Sequence, residues 1–257
     1  MILQPFRDVL DTANPRSVMN AFNTINGIPA TGDEALQRDL LKGQWAFDGV
    51  VVSDWGSALE MIDHGFATDG RDAARLAITA GSDVDMESYV YLDHLDSLVE
   101  SGELDEDLID DAVRRTLRVK FELGLFEDPY RYLDADRERE TLLAEAHLEA
   151  ALDTARKSIV LLKNDDNALP LKRSERLALI GALAADKDAP LGNWRGQSEA
   201  RSAMSVIEGF EQAGLNFMFS NGVDVQMGDA GFEHPVIVNM DNREGMQEAV
   251  ATAREAD

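Results

Sequence analysis

The sequence predicts an α/β fold on three observations. Short apolar runs alternate with amphipathic helical blocks along the whole length. Glycines and Asn-Gly or Asp-Gly pairs stand at the joints between them. The run Val50-Val51-Val52, with Gly49 before it and Gly56 after it, has the continuous hydrophobicity of a strand covered on both faces, as in parallel sheets. Such a strand delivers the residues after it, here Ser53, Asp54 and Trp55, to the carboxyl edge where parallel α/β folds bind ligands.

Residues 17–23 form a short strand candidate, followed by the turn-forming Asn26-Gly27-Ile28-Pro29 and a helix that Asp33 can cap. Leu36, Leu40, Leu41 and Trp45 recur at helical spacing, giving that helix an apolar face to lay on a sheet. Asp48-Gly49 then turns the chain into the valine strand and completes a β-α-β unit. A loop rich in Gly, Asp and Thr leads to a helix over 72–80 with a stripe of alanines, ended by Gly81. Residues 82–86 read as a third strand and 92–99 as the start of another helix. Over 105–123, Leu108, Ile109, Ala112, Val113, Leu117 and Phe121 keep the 3.6-residue period until Gly124 stops it. The charged stretch from Phe126 to about Glu140 breaks the pattern and marks a domain boundary. A helix over 141–157, strands over 158–164, 177–181 and 216–220, and helices over 204–213 and 242–255 restart the alternation beyond it.

The 257 residues, 44% of them hydrophobic, suffice for one large domain or two smaller ones. Acidic residues number 49 against 24 basic ones, and a net charge of -25 argues against nucleic-acid phosphates and anionic membrane surfaces as partners. The same charge suits a solvated acidic surface in a salty medium, where self-repulsion is screened. Cysteine is absent, which removes disulfides and thiolate chemistry. No apolar run is long enough to span a membrane, and Met1 to Pro5 lack the basic start and apolar stretch of a signal peptide. His64, His94, His147 and His234 show no metal-ligand spacing, so no metal is expected.

A carboxylate at the mouth of a parallel sheet can ligate a metal, act as a general base, or attack an electrophilic carbon. Trp55 beside Asp54 favours a sugar, whose ring faces pack on indole while its hydroxyls seek polar groups. In the competing reading Asp54 caps the next turn and Trp55 fills the core.

Longer motifs narrow the choice. The run from Val18 to Ala30 (VMNAFNTINGIPA), the run from Leu40 to Trp55 (LLKGQWAFDGVVVSDW) and Gly81-Ser82-Asp83-Val84-Asp85-Met86 resemble glycoside hydrolase family 3. Val119 to Tyr130 (VKFELGLFEDPY), Ser158 to Asn164 (SIVLLKN) and Leu169-Pro170-Leu171 come next in the family's order. The resemblance implies the C-terminal portion of a (β/α)8 TIM barrel over residues 1–126, a linker and helix over 127–157, and the N-terminal portion of an α/β sandwich domain over 158–257. It also implies a retaining, exo-acting β-glucosidase acting on β-glucosides or oligosaccharides, in which Asp54 is the nucleophile that forms a glycosyl-enzyme. Trp55 and Trp194 would stack on the sugar, and Phe22 and Met86 would wall the pocket or, equally, pack at strand ends. No cofactor is implied, and the family likeness points to a periplasmic or secreted protein.

Two departures from the family pattern shape the expectation. A complete barrel takes about 250 residues, whereas the boundary here falls near residue 126, so the early strands and their glycone-binding residues have no counterpart. Neither Glu87 nor Glu199 matches the acid/base position, so that glutamate is expected beyond Asp257 and the chain reads as an internal fragment. A β-xylosidase, a β-N-acetylhexosaminidase and an inactive chain that binds sugar weakly are the alternatives. The 158–164 segment speaks against the single-domain hexosaminidases.

Overall fold

The computed structural model describes residues 3–192, 194–196, 198–228 and 236–257, and divides into two compact units, Met1–His147 and Leu148–Asp257. In the first unit, helix α1 spans Gln4–Ala13 and closes on Asn14 in the left-handed region. Strand β1 (Ser17–Met19) ends earlier than the sequence suggests, because Thr24–Ile25 (β2) and Ile28–Pro29 (β3) form a hairpin of their own. Its two-residue turn, Asn26-Gly27, has positive φ at both positions (53° and 87°), the conformation Asn-Gly adopts at least strain. A π-helix over Ala35–Gln44 comes next, with Asp33 Oδ1 accepting the Leu36 N–H at 3.0 Å as a cap. The wide turn shows in the Trp45 N–H, which reaches back five residues to the Leu40 carbonyl at 2.8 Å.

Strand β4 (Val50–Val52) leads to the short helix α2 (Ser57–Glu60) and then to α3 (Gly70–Ala80). The cap of α3 is Asp69, whose carboxylate accepts the Asp72 N–H, so the helix starts ahead of the predicted residue 72. Gly81, at φ 109°, ends it as expected. Helix α4 (Val90–Glu100) precedes α5 (Glu106–Glu122), which Asp105 caps. The predicted helix over 141–157 is two pieces, α6 (Ala135–Thr141) and α7 (Glu145–Ser158), separated where Leu143 takes φ 55°.

β1 and β4 pair in parallel, with Ser17 opposite Val50, Val18 opposite Val51 and Met19 opposite Val52. Of the predicted 82–86 strand only Val84 joins them, in a parallel bridge to Val52. Alternation along β4 sorts its side chains. Val51 is fully buried and packs with Leu41, Phe47, Val18, Leu10 and Trp45, whereas Met19, on the same face as its neighbour Val52, is 55% exposed. The larger core lies among the helices, where Ala73, Ala74, Ala77 and Ile78 of α3 pack with Met61, Val90 and Leu98.

The second unit is built on β5 (Arg176–Ile180) and β6 (Asn216–Ser220), paired in parallel through the intervening helix α8 (Val206–Ala213). Strands β7 (Gln226–Met227) and β8 (Ile237–Val238) form an antiparallel pair, and α9 (Met246–Arg254) packs on β5 and β6. The strand predicted over 158–164 does not form. Ile159, Val160, Leu161 and Leu162 are all exposed, since no described strand offers them the ladder bonds that turn an apolar run into a sheet member.

The N-terminus of α8 carries a reciprocal cap: Ser205 Oγ accepts the Glu208 N–H at 3.1 Å while Glu208 Oε2 accepts the Ser205 N–H at 2.8 Å. The Lys187 ammonium and that backbone bond hold the Glu208 carboxyl down to about 2. Its folded value lies below the ordinary 4.5, so its contribution is complete above pH 4.5 and fades as pH falls towards 2. Carbon-13 titration of Glu208 should show a midpoint near 2, and Ser205→Ala should destabilise α8 by about 1 kcal/mol in urea unfolding.

Candidate active site

Three neighbouring strand ends meet at the carboxyl edge of the first unit's sheet. Asn20, Ala21 and Phe22 extend β1, Ser53, Asp54 and Trp55 extend β4, and Asp85 and Met86 lie just past the Val84 bridge. Asp54 stands two residues beyond Val52 and so continues the face shared by Val52 and Met19, away from the buried Val51.

Polar side chains bind these ends together. The Asn20 N–H donates to the Val52 carbonyl at 3.0 Å, and its side-chain oxygen accepts the Asp54 N–H at 3.3 Å. The Asn20 amide nitrogen donates to Ser82 Oγ at 2.8 Å and to Gln37 Oε1 at 3.2 Å. Buried Gln37 in turn donates to the Ala30 and Thr31 carbonyls. The Thr31 hydroxyl lies 3.0 Å from Asn20 Oδ1 and 2.9 Å from Ser57 Oγ. On the other side of Asp54 the Met86 N–H donates to Ser53 Oγ at 2.7 Å, and the Gly56 N–H to the Met86 carbonyl at 2.8 Å. Asp54 Oδ1 accepts the N–H of Trp55 at 2.8 Å. The nucleophile candidate is thus tied through backbone and side chain to both neighbouring strand ends.

A charged layer lies behind the strand. Lys42 Nζ donates to Asp83 Oδ1 at 2.6 Å, with only 5% and 2% of the two side chains exposed. Asp83 Oδ2 accepts the Val51 N–H at 2.8 Å. Burial pushes the Lys42 ammonium below its ordinary value and the Asp83 carboxyl above its own, against the attraction of each for the other. Arg115 on α5 donates to the Phe47 and Gly49 carbonyls, both at 3.0 Å, and fixes the turn that enters β4.

Of the residues singled out from the sequence, Asp54, Trp55, Phe22 and Met86 gather at this edge. Asp54, Phe22 and Met86 are half-buried, and Trp55 is 45% exposed. Trp194 sits in a turn of the second unit and is 64% exposed, while its motif neighbour Asn193 and His234 lie outside the described residues. Glu87 and Glu199 are both exposed. Asn20, Thr31, Gln37, Ser53, Ser57 and Ser82 are the residues that sequence reasoning missed; polar side chains inside the apolar runs at Asn20, Ser53 and Ser82 were the available signal. Among the described residues, no group of three or more acidic or histidine side chains is placed to hold a metal.

The pattern of the glycosyl hydrolase family 3 N terminal domain matches residues 1–119, and that of the family's C-terminal domain matches residues 159–257. The chain belongs to glycosyl hydrolase family 3. It is 36% identical to a periplasmic beta-glucosidase of Salmonella typhimurium over 99% of this chain and 35% of that protein. It is 30% identical to Beta-D-xylosidase 1 of Arabidopsis thaliana over 98% of this chain and 31% of that one. The solved beta-glucosidase of Listeria innocua superposes with a TM-score of 0.72 at 33% identity, covering 99% of this chain and 33% of that one. The chain therefore spans about a third of the length of these family members. The α/β architecture is that of the family's β-glucosidase structures, and among the described residues no helix is long and apolar enough to cross a membrane.

Asn20 joins Gln37, Ser82, Thr31 and the Asp54 amide through its side chain. Asn20→Leu leaves the Asp54 amide without this partner and removes one bond each from Ser82, Gln37 and Thr31, and should lower stability by about 2 kcal/mol in urea unfolding.

Proposed function

We propose that this chain carries the nucleophile half of a retaining, exo-acting β-glucosidase site. Residues 1–126 contribute the late part of a (β/α)8 barrel, 127–157 a linker and helix, and 158–257 the start of an α/β sandwich domain. The observation that carries the reading is Asp54 at the carboxyl end of a central parallel strand, its amide held by Asn20 and its neighbour Trp55 open to solvent.

In the proposed reaction an ionised Asp54 oxygen forms a bond to the anomeric carbon as the bond to the aglycone oxygen breaks. A second carboxyl group gives that oxygen its proton, then takes one from the water that releases the sugar and frees Asp54. With Oδ1 accepting the Trp55 N–H, Oδ2 is the oxygen that attacks. The acid/base group is not assigned to a residue of this chain. Trp55 supplies an aromatic face for the sugar, Phe22 and Met86 wall the pocket from the adjacent strand ends, and Trp194 is proposed as a further sugar-stacking ring. Terminal β-D-glucosyl residues are the proposed substrate and the periplasm the proposed location, on the strength of the Salmonella relative. Xylosides are the second reading, favoured by the similarity to plant β-xylosidases.

Incubating the complete gene product with a 2-deoxy-2-fluoro-β-glucoside should leave a covalent adduct on the peptide containing Asp54. Asp54→Ala should abolish the adduct and lower kcat by on the order of 10⁴-fold; an adduct on another peptide would overturn the assignment. The ratio of kcat/KM for nitrophenyl β-glucoside and β-xyloside decides between the two sugars. Trp55→Ala should raise KM about tenfold, equivalent to about 1.4 kcal/mol of lost stacking.

A further inference from the structure

Among the described residues, Lys42 and Asp83 form the one ion pair in which both side chains are almost fully buried, and the proposed reaction leaves it without a task. Their side-chain bonds run to each other and to the Val51 amide, three residues before Asp54. An exposed pair would be worth little, and a buried one is often no more stabilising than two apolar side chains of similar size. Some other requirement must favour charge at this place.

Strand register is that requirement. β4 pairs with β1 over only Ser17 to Met19, and with the next strand through Val84 alone. So few ladder bonds specify register weakly, and a slip of one residue would turn Asp54 from the open face to the helix layer. Asp83 closes on Val51 from two directions, giving its own N–H to the Val51 carbonyl at 2.8 Å and accepting the Val51 N–H on Oδ2 at 2.8 Å. Lys42 holds the other carboxylate oxygen and anchors it to the π-helix. Val51 lies three residues before Asp54, roughly 10 Å along an extended strand.

We propose that Lys42 and Asp83 are positioning residues that set the register of β4 and thereby place Asp54 at the height its reaction needs. This rests on the glycosidase reading for its catalytic consequence, but register has a readout of its own. The apolar replacement Lys42→Met with Asp83→Leu keeps the volume buried and removes the charge-fixed bonds. In the complete gene product this double variant should keep KM within about twofold while kcat, and the rate of labelling by the fluoroglucoside, fall about 100-fold. Amide hydrogens over 50–56 should exchange faster by mass spectrometry, and Lys42→Arg, which restores a donor, should recover most of kcat.

A double variant with kcat within about twofold of the parent and unchanged exchange over 50–56 overturns the proposal, since a purely structural pair would behave so. Should Leu at position 83 prevent folding, Lys42→Met with Asp83→Asn keeps an acceptor for the Val51 N–H, and the same criteria apply. Absence of labelling at Asp54 in the parent protein instead refutes the glycosidase reading. Exchange over 50–56 then decides the register claim alone, and unchanged protection in the double variant refutes it.

Discussion

Asp83 accepts a strand amide on one carboxylate oxygen and a buried ammonium on the other. The rest of the first unit is organised outward from that arrangement. On one side it ties β4 to the π-helix that carries Lys42, Gln37 and Leu41. On the other it fixes the chain that runs from Gly81 through Val84 to Met86, and so the strand end beside Asp54. The pair stands behind the sheet, where water is scarce and a single hydrogen bond is both stronger and more costly to break than at the surface.

In front of it the chemistry changes from charge to amide and hydroxyl. Asn20, Gln37, Thr31, Ser57 and Ser82 satisfy one another and the strand-end backbone, so the floor beneath Asp54 is polar without carrying a competing charge. If Asp54 is the nucleophile we propose, such a floor serves it well, because fixed dipoles need no reorganisation as its charge is spent. The apolar half of the work falls to Val51, Leu41 and Phe47 on the opposite face. Alternation along one three-residue strand thus separates the face that packs on Leu41 and Phe47 from the face that Asp54 continues.

Much of this was legible in the sequence, and for a local reason. Val50 to Val52, the Asp48-Gly49 turn and Gly81 describe short-range preferences that packing had no cause to override, and Asn26-Gly27 forms the tight turn its residues favour. The readings that failed depend on partners distant in the chain. Residues 158–164 have the composition of a strand, but a strand exists only where a neighbour accepts its backbone bonds. The 82–86 run pairs through Val84 alone, since Asp83 spends its side chain on Lys42 and Val51, and Tyr91 takes the Ser82 carbonyl. The polar floor was hidden for a similar reason. Asn20 and Ser82 are 62 residues apart, and nothing in either local pattern announces that they meet.

Helix α3 meets the larger core largely through Ala73, Ala74 and Ala77, with Ile78 beside them, and none of the three alanines has a rotamer to choose. Ordering those side chains therefore loses no side-chain entropy on folding, and they offer no alternative conformers afterwards. A helix seated on leucines can shift by letting them hop between wells; one seated largely on methyl groups has fewer such wells to use. Because α3 hands the chain directly through Gly81 to Asp83 and Met86, the alanine face stiffens the chain that leads to the strand end beside Asp54. Under the proposed reading, any adaptation to sugars of different size then falls to the loops bearing Phe22 and Trp55.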